Sequence, residues 1–249
     1  MRIQEKIKSI MRVALPAYRV GLRLEQSLSG AHSWRSVPKP MLTLEVQLAE
    51  HCNLNCAYCD HFSPIAKPEF LDTESFSRDM ARLSELFGGE MQFVKLMGGE
   101  PLLNRDITEF MRIAREAFPV GDILVVTNGL LLPKMPEAFW LACREHGVII
   151  SPTKYPLTSI DYAAAEMLAE KYGVKYVYYG DYCGFNPGEK TMCKQLLDLD
   201  GRQDPRASFY ACGSANICLF LRKGRMYTCP VAATAHHFSR YFGVELQVS

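Results

Sequence analysis

The sequence predicts an α/β fold built on a parallel sheet, and two patterns carry that expectation. Five strand-like runs alternate with helical patterns, an order that demands right-handed crossovers and leaves the helices outside a parallel sheet. Unusual residues then collect in the loops that follow the strands, the end at which both open doubly wound sheets and barrels place their chemistry. On strand order alone, an open sheet and a full or partial barrel fit equally.

Residues 1–40 precede this pattern as a basic N-terminal extension, broken by Pro16, Pro38 and Pro40, with eight Lys or Arg against two Glu. Its first 25 residues suit an anionic membrane surface or an acidic partner, but a solvated helix explains them as well and is the preferred reading. The stretch lacks the continuous apolar segment of a secretory signal, and no run of about 18 apolar residues follows, so a cytoplasmic protein is expected. With 48% hydrophobic and 22% charged residues among 249, the composition excludes disorder as a starting assumption. The nine cysteines therefore point to metal ligation or catalysis before a disulfide frame.

MLTLEVQLA (41–49) alternates as a first strand. A helix follows from an N-cap at Asp72 or Thr73 to Gly88-Gly89. The unit repeats with QFVKLM (92–97) and a helix over 104–118, DILVVT (122–127) and a helix over 136–146, GVIIS (147–151) and a helix over 159–172, then VKYVYY (174–179). The irregular, Gly- and Pro-containing stretch 181–211 is too long for an ordinary connection and reads as a linker or lid. Two short strand-like runs flank Lys223-Gly224, predicting a small C-terminal β-hairpin.

The strand-end loops hold Cys52, Cys56 and Cys59 in a C-x3-C-x2-C run, then Gly98-Gly99-Glu100-Pro101, Thr127-Asn128-Gly129 and Ser151-Pro152. Three thiolates with His51 or His61 would satisfy a tetrahedral zinc. A 4Fe-4S cluster, which wants four thiolates, would instead be left with one open iron. Asn53 and Asn55 tolerate the left-handed turns that wrapping a cluster needs.

C-x3-C-x2-C after the first strand, with GGEP after the second, resembles the radical S-adenosylmethionine (radical SAM) superfamily. The resemblance implies a partial (β/α)6 TIM-like barrel over 41–180, in which S-adenosylmethionine chelates the open iron. It places Tyr58 near adenine and cluster. Gly98 and Gly99 would allow close approach, Glu100 would pair with the cofactor's ammonium, and Pro101 would end the strand. Thr127, Asn128 and Ser151 stand where such enzymes contact ribose and carboxylate, with Lys154 a weaker candidate. The implied reaction is one-electron cleavage of the cofactor, by a reductant such as flavodoxin or ferredoxin, to a 5'-deoxyadenosyl radical. That radical would abstract hydrogen from a substrate, in the expected case a peptide or carbohydrate-linked molecule, making the protein an oxidoreductase or maturase.

Cys212, Cys218 and Cys229 surround the hairpin, and CGSANICLFLRKGRMYTCP resembles the SPASM/twitch extensions of these enzymes. That implies a metal-binding extension over 212–249 with a second Fe-S cluster. Its missing ligand would be His236, His237, substrate or solvent, unless the chain stops short of it. A zinc knuckle or three buried thiols are the plainer readings. Cys143 is expected as a buried small hydrophobe, Cys183 and Cys193 stay unassigned, and the tyrosines of 176–182 read as barrel lining with no nucleic-acid site. The competing hypothesis for the whole chain is a non-catalytic zinc-stabilised binding module.

Overall fold

The computed structural model describes residues 43–155, 160–182, 197–212 and 218–246. The basic extension, Cys183, Cys193 and the side chain of Cys218 lie outside them. Six strands, β1 (Thr43–Ala49), β2 (Phe93–Gly98), β3 (Asp122–Thr127), β4 (Val148–Pro152), β5 (Cys218–Arg222) and β6 (Arg225–Tyr227), form one sheet in the order β4-β3-β2-β1-β5-β6. All neighbours are parallel except the β5–β6 hairpin. It is an open, mostly parallel α/β sheet.

Four helices, α1 (Thr73–Phe87), α2 (Ile107–Ala117), α3 (Glu137–Glu145) and α4 (Tyr162–Tyr172), follow the first four strands in turn. Asp72 starts α1 by accepting a hydrogen bond from the Ser75 N–H at 2.8 Å, and Gly88 ends it at φ 64°, the left-handed stop that a residue without a Cβ takes cheaply. Alternate strand residues pack under the helices: Leu44, Val46 and Leu48 of β1, Val94 and Leu96 of β2, and Ile123 and Val125 of β3 meet Phe76, Met80, Phe110 and Trp140. The period of two turns the other set to the opposite face. There Leu124, Val126 and Ile149 form a smaller apolar cluster with Phe93, Met97, Val177 and Tyr179, and Glu45, Gln47, Lys95 and Ser151 are buried polar residues. Cys143 is fully buried, as expected of a small hydrophobe.

Two expectations change. VKYVYY is not a strand: Tyr176 forms an isolated parallel bridge to Ile150, and the chain turns into the short α5 (Tyr179–Tyr182). The hairpin, for its part, is not an appendage, because β5 pairs in parallel with β1 from Thr43↔Cys218 to Val46↔Leu221. Leu221 joins the helix-side core while Phe220 is fully buried on the other face, so β5 is apolar on both sides, as an interior parallel strand must be. It also covers the backbone N–H and C=O groups that β1 would expose as an edge. Two helices complete the described chain, α6 (Pro205–Ala211) and α7 (Pro230–Phe242). No described helix is long and apolar enough to cross a membrane.

Candidate functional site

The cysteine loop leaves β1 at Ala49 and is fastened at once to the end of β2. Gly99 N–H donates to the Ala49 carbonyl at 2.8 Å and Glu100 N–H to the His51 carbonyl at 3.1 Å. A Cβ on Gly98 would lie 2.5 Å from Ala49 O, and one on Gly99 2.0 Å from His51 O, so the two glycines are required by the chain's own backbone. Within the loop the left-handed residues are Tyr58 (φ 60°) and Phe62 (φ 50°). Asn53 and Asn55 do not take that conformation; Asn53 instead accepts a hydrogen bond from Asn128 Nδ2 at 2.7 Å.

Cys52, Cys56 and Cys59 line a single cleft with Gly98, Gly99, Thr127 and Asn128. Strand ends β1, β2 and β3 thus converge, as the loop pattern implied. Cys52 Sγ accepts from Leu54 N–H at 3.4 Å and from Asn128 Nδ2 at 3.6 Å. Burial, helped by the nearby Glu100 carboxylate, pushes its thiol up to about 11, so ligation of a metal here must come with loss of that proton. Among the described residues, the only three potential ligands with atoms all within 4.8 Å of one another are Glu50, His236 and His237. The three cysteine sulfurs do not form such a group.

Glu100 is placed differently from expectation. It is fully buried behind the cleft, where Oε1 accepts from the Thr127 hydroxyl at 2.7 Å and Leu102 N–H at 3.1 Å, and Oε2 accepts from Asn128 N–H at 2.9 Å. Burial outweighs these donors and pushes its carboxyl up to about 7. Its side chain binds the end of β2 to the end of β3, and the cleft face belongs to the glycines. Pro101 is buried and opens a short 3-10 turn, Pro101–Leu103. Ser151 is fully buried on β4, and its hydroxyl has no hydrogen-bond partner among the described residues. Tyr58 is 49% exposed and lines a neighbouring apolar pocket with Cys56, Cys59 and Phe62. Lys154 lies over the Tyr178 ring, 5.2 Å from its centroid.

The structure adds residues that the sequence reading passed over. Thr153 and Tyr155 line the cleft beyond β4. Burial raises the Tyr155 phenol, and the thiolates of Cys56, Cys52 and Cys59 raise it further, which places this side chain within electrostatic reach of all three. Glu45 and Lys95 pair at 3.1 Å across β1 and β2, and Lys95 Nζ donates to the Tyr179 hydroxyl at 3.0 Å. The signal was one charge of each sign in otherwise uncharged strands; pairing them required the register.

The second cysteine group is only partly described. Cys212 is exposed after α6, and Cys229 is the N-cap of α7. Burial raises the Cys229 thiol, with smaller contributions from Asp60 and Cys212, so these groups are near one another. Neither histidine is turned to them. His237 Nε2 lies 2.7 Å from Glu50 Oε2 and its Nδ1 3.2 Å from Arg240 Nη2, while His236 Nε2 lies 3.0 Å from Arg222 Nη2.

Residues 46–152 match the family model described as the Radical SAM superfamily. A Thermoplasma volcanium protein named "Probable GTP 3',8-cyclase" is 35% identical over 95 residues, 38% of this chain and 28% of that protein. A GTP 3',8-cyclase of Stenotrophomonas maltophilia is 34% identical over 94 residues, 36% of this chain and 28% of its own length. The match spans less than a third of these curated relatives. Among solved structures, native anSMEcpe with bound AdoMet covers 54% of this chain and 43% of its own at 20% identity and TM-score 0.44. BtrN in complex with AdoMet and 2-DOIA covers 56% of this chain and 57% of its own at 22% identity and TM-score 0.42.

Proposed function

We propose, from the premise that residues 46–152 are a radical SAM domain, that this protein is an enzyme whose Cys52, Cys56 and Cys59 hold a 4Fe-4S cluster with S-adenosylmethionine on its open iron. The observation that carries the proposal is the convergence of these three thiols with Gly98, Gly99, Thr127 and Asn128 on one cleft. When bound, cluster and cofactor supply a 5'-deoxyadenosyl radical by one-electron reductive cleavage, for abstraction of hydrogen from a substrate.

The chain's own residues have separate tasks. Asn128 hydrogen-bonds Cys52 and Asn53, so the end of β3 holds the cysteine loop. Glu100 ties that end to β2 through Thr127 and the Asn128 N–H. The Ser151 hydroxyl, without a partner among the described residues, would serve as a donor to a polar ligand, since a buried hydroxyl left unmatched costs free energy. Cys212, Cys218 and Cys229 are assigned to a second Fe-S cluster, supported by the approach of Cys229 to Cys212. A flavodoxin or ferredoxin in a reducing cytoplasm would deliver the electron. The substrate assigned is a peptide or carbohydrate-linked molecule, for an oxidoreductase or maturase; GTP, for which the matched relatives are named, is a further compound to assay.

Anaerobic reconstitution is expected to yield brown protein with about four irons and four sulfides for the first site, and up to four more of each for the second. Dithionite and S-adenosylmethionine should then release 5'-deoxyadenosine. Release that survives replacement of Cys52, Cys56 and Cys59 by Ala would sink the assignment. Colourless, zinc-containing protein without sulfide would favour the binding-module reading.

A further inference from the structure

The cysteine loop is also held from outside the cleft, by side chains more than 170 positions away. Glu50, two residues before Cys52, is 4% exposed. Its Oε1 accepts from Arg222 Nε of β5 at 2.8 Å, and its Oε2 lies 2.7 Å from His237 Nε2 of α7. Gln47 Nε2 reaches the same Oε2 at 3.5 Å, and Gln47 Oε1 lies 2.8 Å from Nδ1 of His61, two residues after Cys59. Both flanks of the loop are therefore joined through one side chain on β1. The Thr234 hydroxyl of α7, which donates to the Pro230 carbonyl of its own helix at 2.6 Å, also lies 3.3 Å from the Asp60 carbonyl, and the rings of Phe62 and Phe238 sit 5.8 Å apart.

Glu50, His236 and His237 have the ligand spacing of a cation site, but that site already contains a cation. The Arg222 guanidinium bonds the carboxylate and faces His236, so a divalent ion would have to displace it against charge repulsion. The arrangement is a positioning network.

We propose that β5 and α7 act as a clamp on the cysteine loop, with Arg222 and His237 working through Glu50 to keep the entry to Cys52 and the exit from Cys59 at the spacing a cluster needs. This rests on the reading that the three cysteines hold a cluster. Supports around metal ligands set ligand orientation, and their removal typically weakens metal retention by about 10- to 100-fold.

The test uses the full chain, reconstituted without oxygen and challenged with an iron chelator, with iron release and the electron paramagnetic resonance of the reduced first cluster as readouts. His237→Ala should release iron about 10-fold faster or more than the parent protein and alter the reduced-cluster signal. His237→Gln, which can still donate at the Nε2 position, should restore most of both. Met80→Ala, buried on the far side of the sheet, should lower the melting temperature without changing either. If His237→Ala does not fold, Arg222→Gln carries the same expectation. The clamp is overturned if His237→Ala keeps the parent rate and signal, if Met80→Ala accelerates release equally, or if Gln gives no rescue. Failure of the parent protein to take up iron would overturn the cluster reading as well, which distinguishes the two failures.

Discussion

The hydroxyl of Thr127 donates to the buried carboxylate of Glu100 across 2.7 Å, joining the end of β3 to the end of β2 beneath the cleft. Both groups are cut off from water, with Thr127 3% exposed and Glu100 fully buried, so neither can exchange this bond for solvent. Thr127→Val keeps the shape and removes the donor. It should destabilise the protein by about 1–3 kcal/mol, measured by denaturant unfolding of the metal-free chain. Thr127→Ser should recover most of that loss.

Glu100 also predicts a pH dependence. Its folded carboxyl, pushed up to about 7 from the ordinary 4.5 by burial, keeps a proton that the unfolded chain releases. The resulting stabilisation is complete below about 4.5 and is lost as pH rises towards 7. Unfolding free energies of the metal-free protein across pH 4 to 8 should fall in this window, and Glu100→Gln should flatten the slope whatever its own cost in hydrogen bonds. An unchanged slope in the variant would assign the effect to another group.

Gly99→Ala is expected to be more damaging than an exposed glycine substitution. The added carbon would sit 2.0 Å from the His51 carbonyl oxygen, so either β2 or the start of the cysteine loop must move. A loss of about 3 kcal/mol or more is anticipated from forced overpacking of backbone on backbone, together with reduced iron uptake on reconstitution. Gly201→Ala provides the comparison, because a Cβ there meets nothing within 4 Å although its φ is 66°.

Thiol labelling should separate the cysteines by environment. Burial pushes Cys143 up to about 12, leaving about one thiol in ten thousand ionised at pH 8, and its side chain is enclosed between strands and helices. Cys212 is exposed. Iodoacetamide treatment of the metal-free protein followed by mass spectrometry should label Cys212 before Cys52, and should leave Cys143 intact until unfolding. Early labelling of Cys143 would contradict its place in the core.

Much of this arrangement was legible in the chain. β1 follows from its alternating run, β2 to β4 from short apolar runs broken by loops, and α1 from Asp72 and Gly88, because such signals act within one or two turns of backbone. The C-x3-C-x2-C and GGEP loops could be assigned to one end of the sheet because right-handed crossovers leave little choice. VKYVYY misled: aromatic and β-branched residues at 174–179 suit a strand, but propensity supplies no partner, and only Tyr176 bridges to Ile150.

By itself, then, the sequence determined the order of strands and helices, the three-cysteine loop and its meeting with the glycines of β2, all through local pattern and chain topology. Tertiary structure alone decided that β5 lies beside β1, that Glu100 turns inward to Thr127, and that Arg222 and His237 reach Glu50. These depend on contacts separated by up to 187 positions, and on which backbone edges and buried charges still needed partners once the first four strands were in place. No local pattern encodes that demand, because it arises from burial in the assembled sheet.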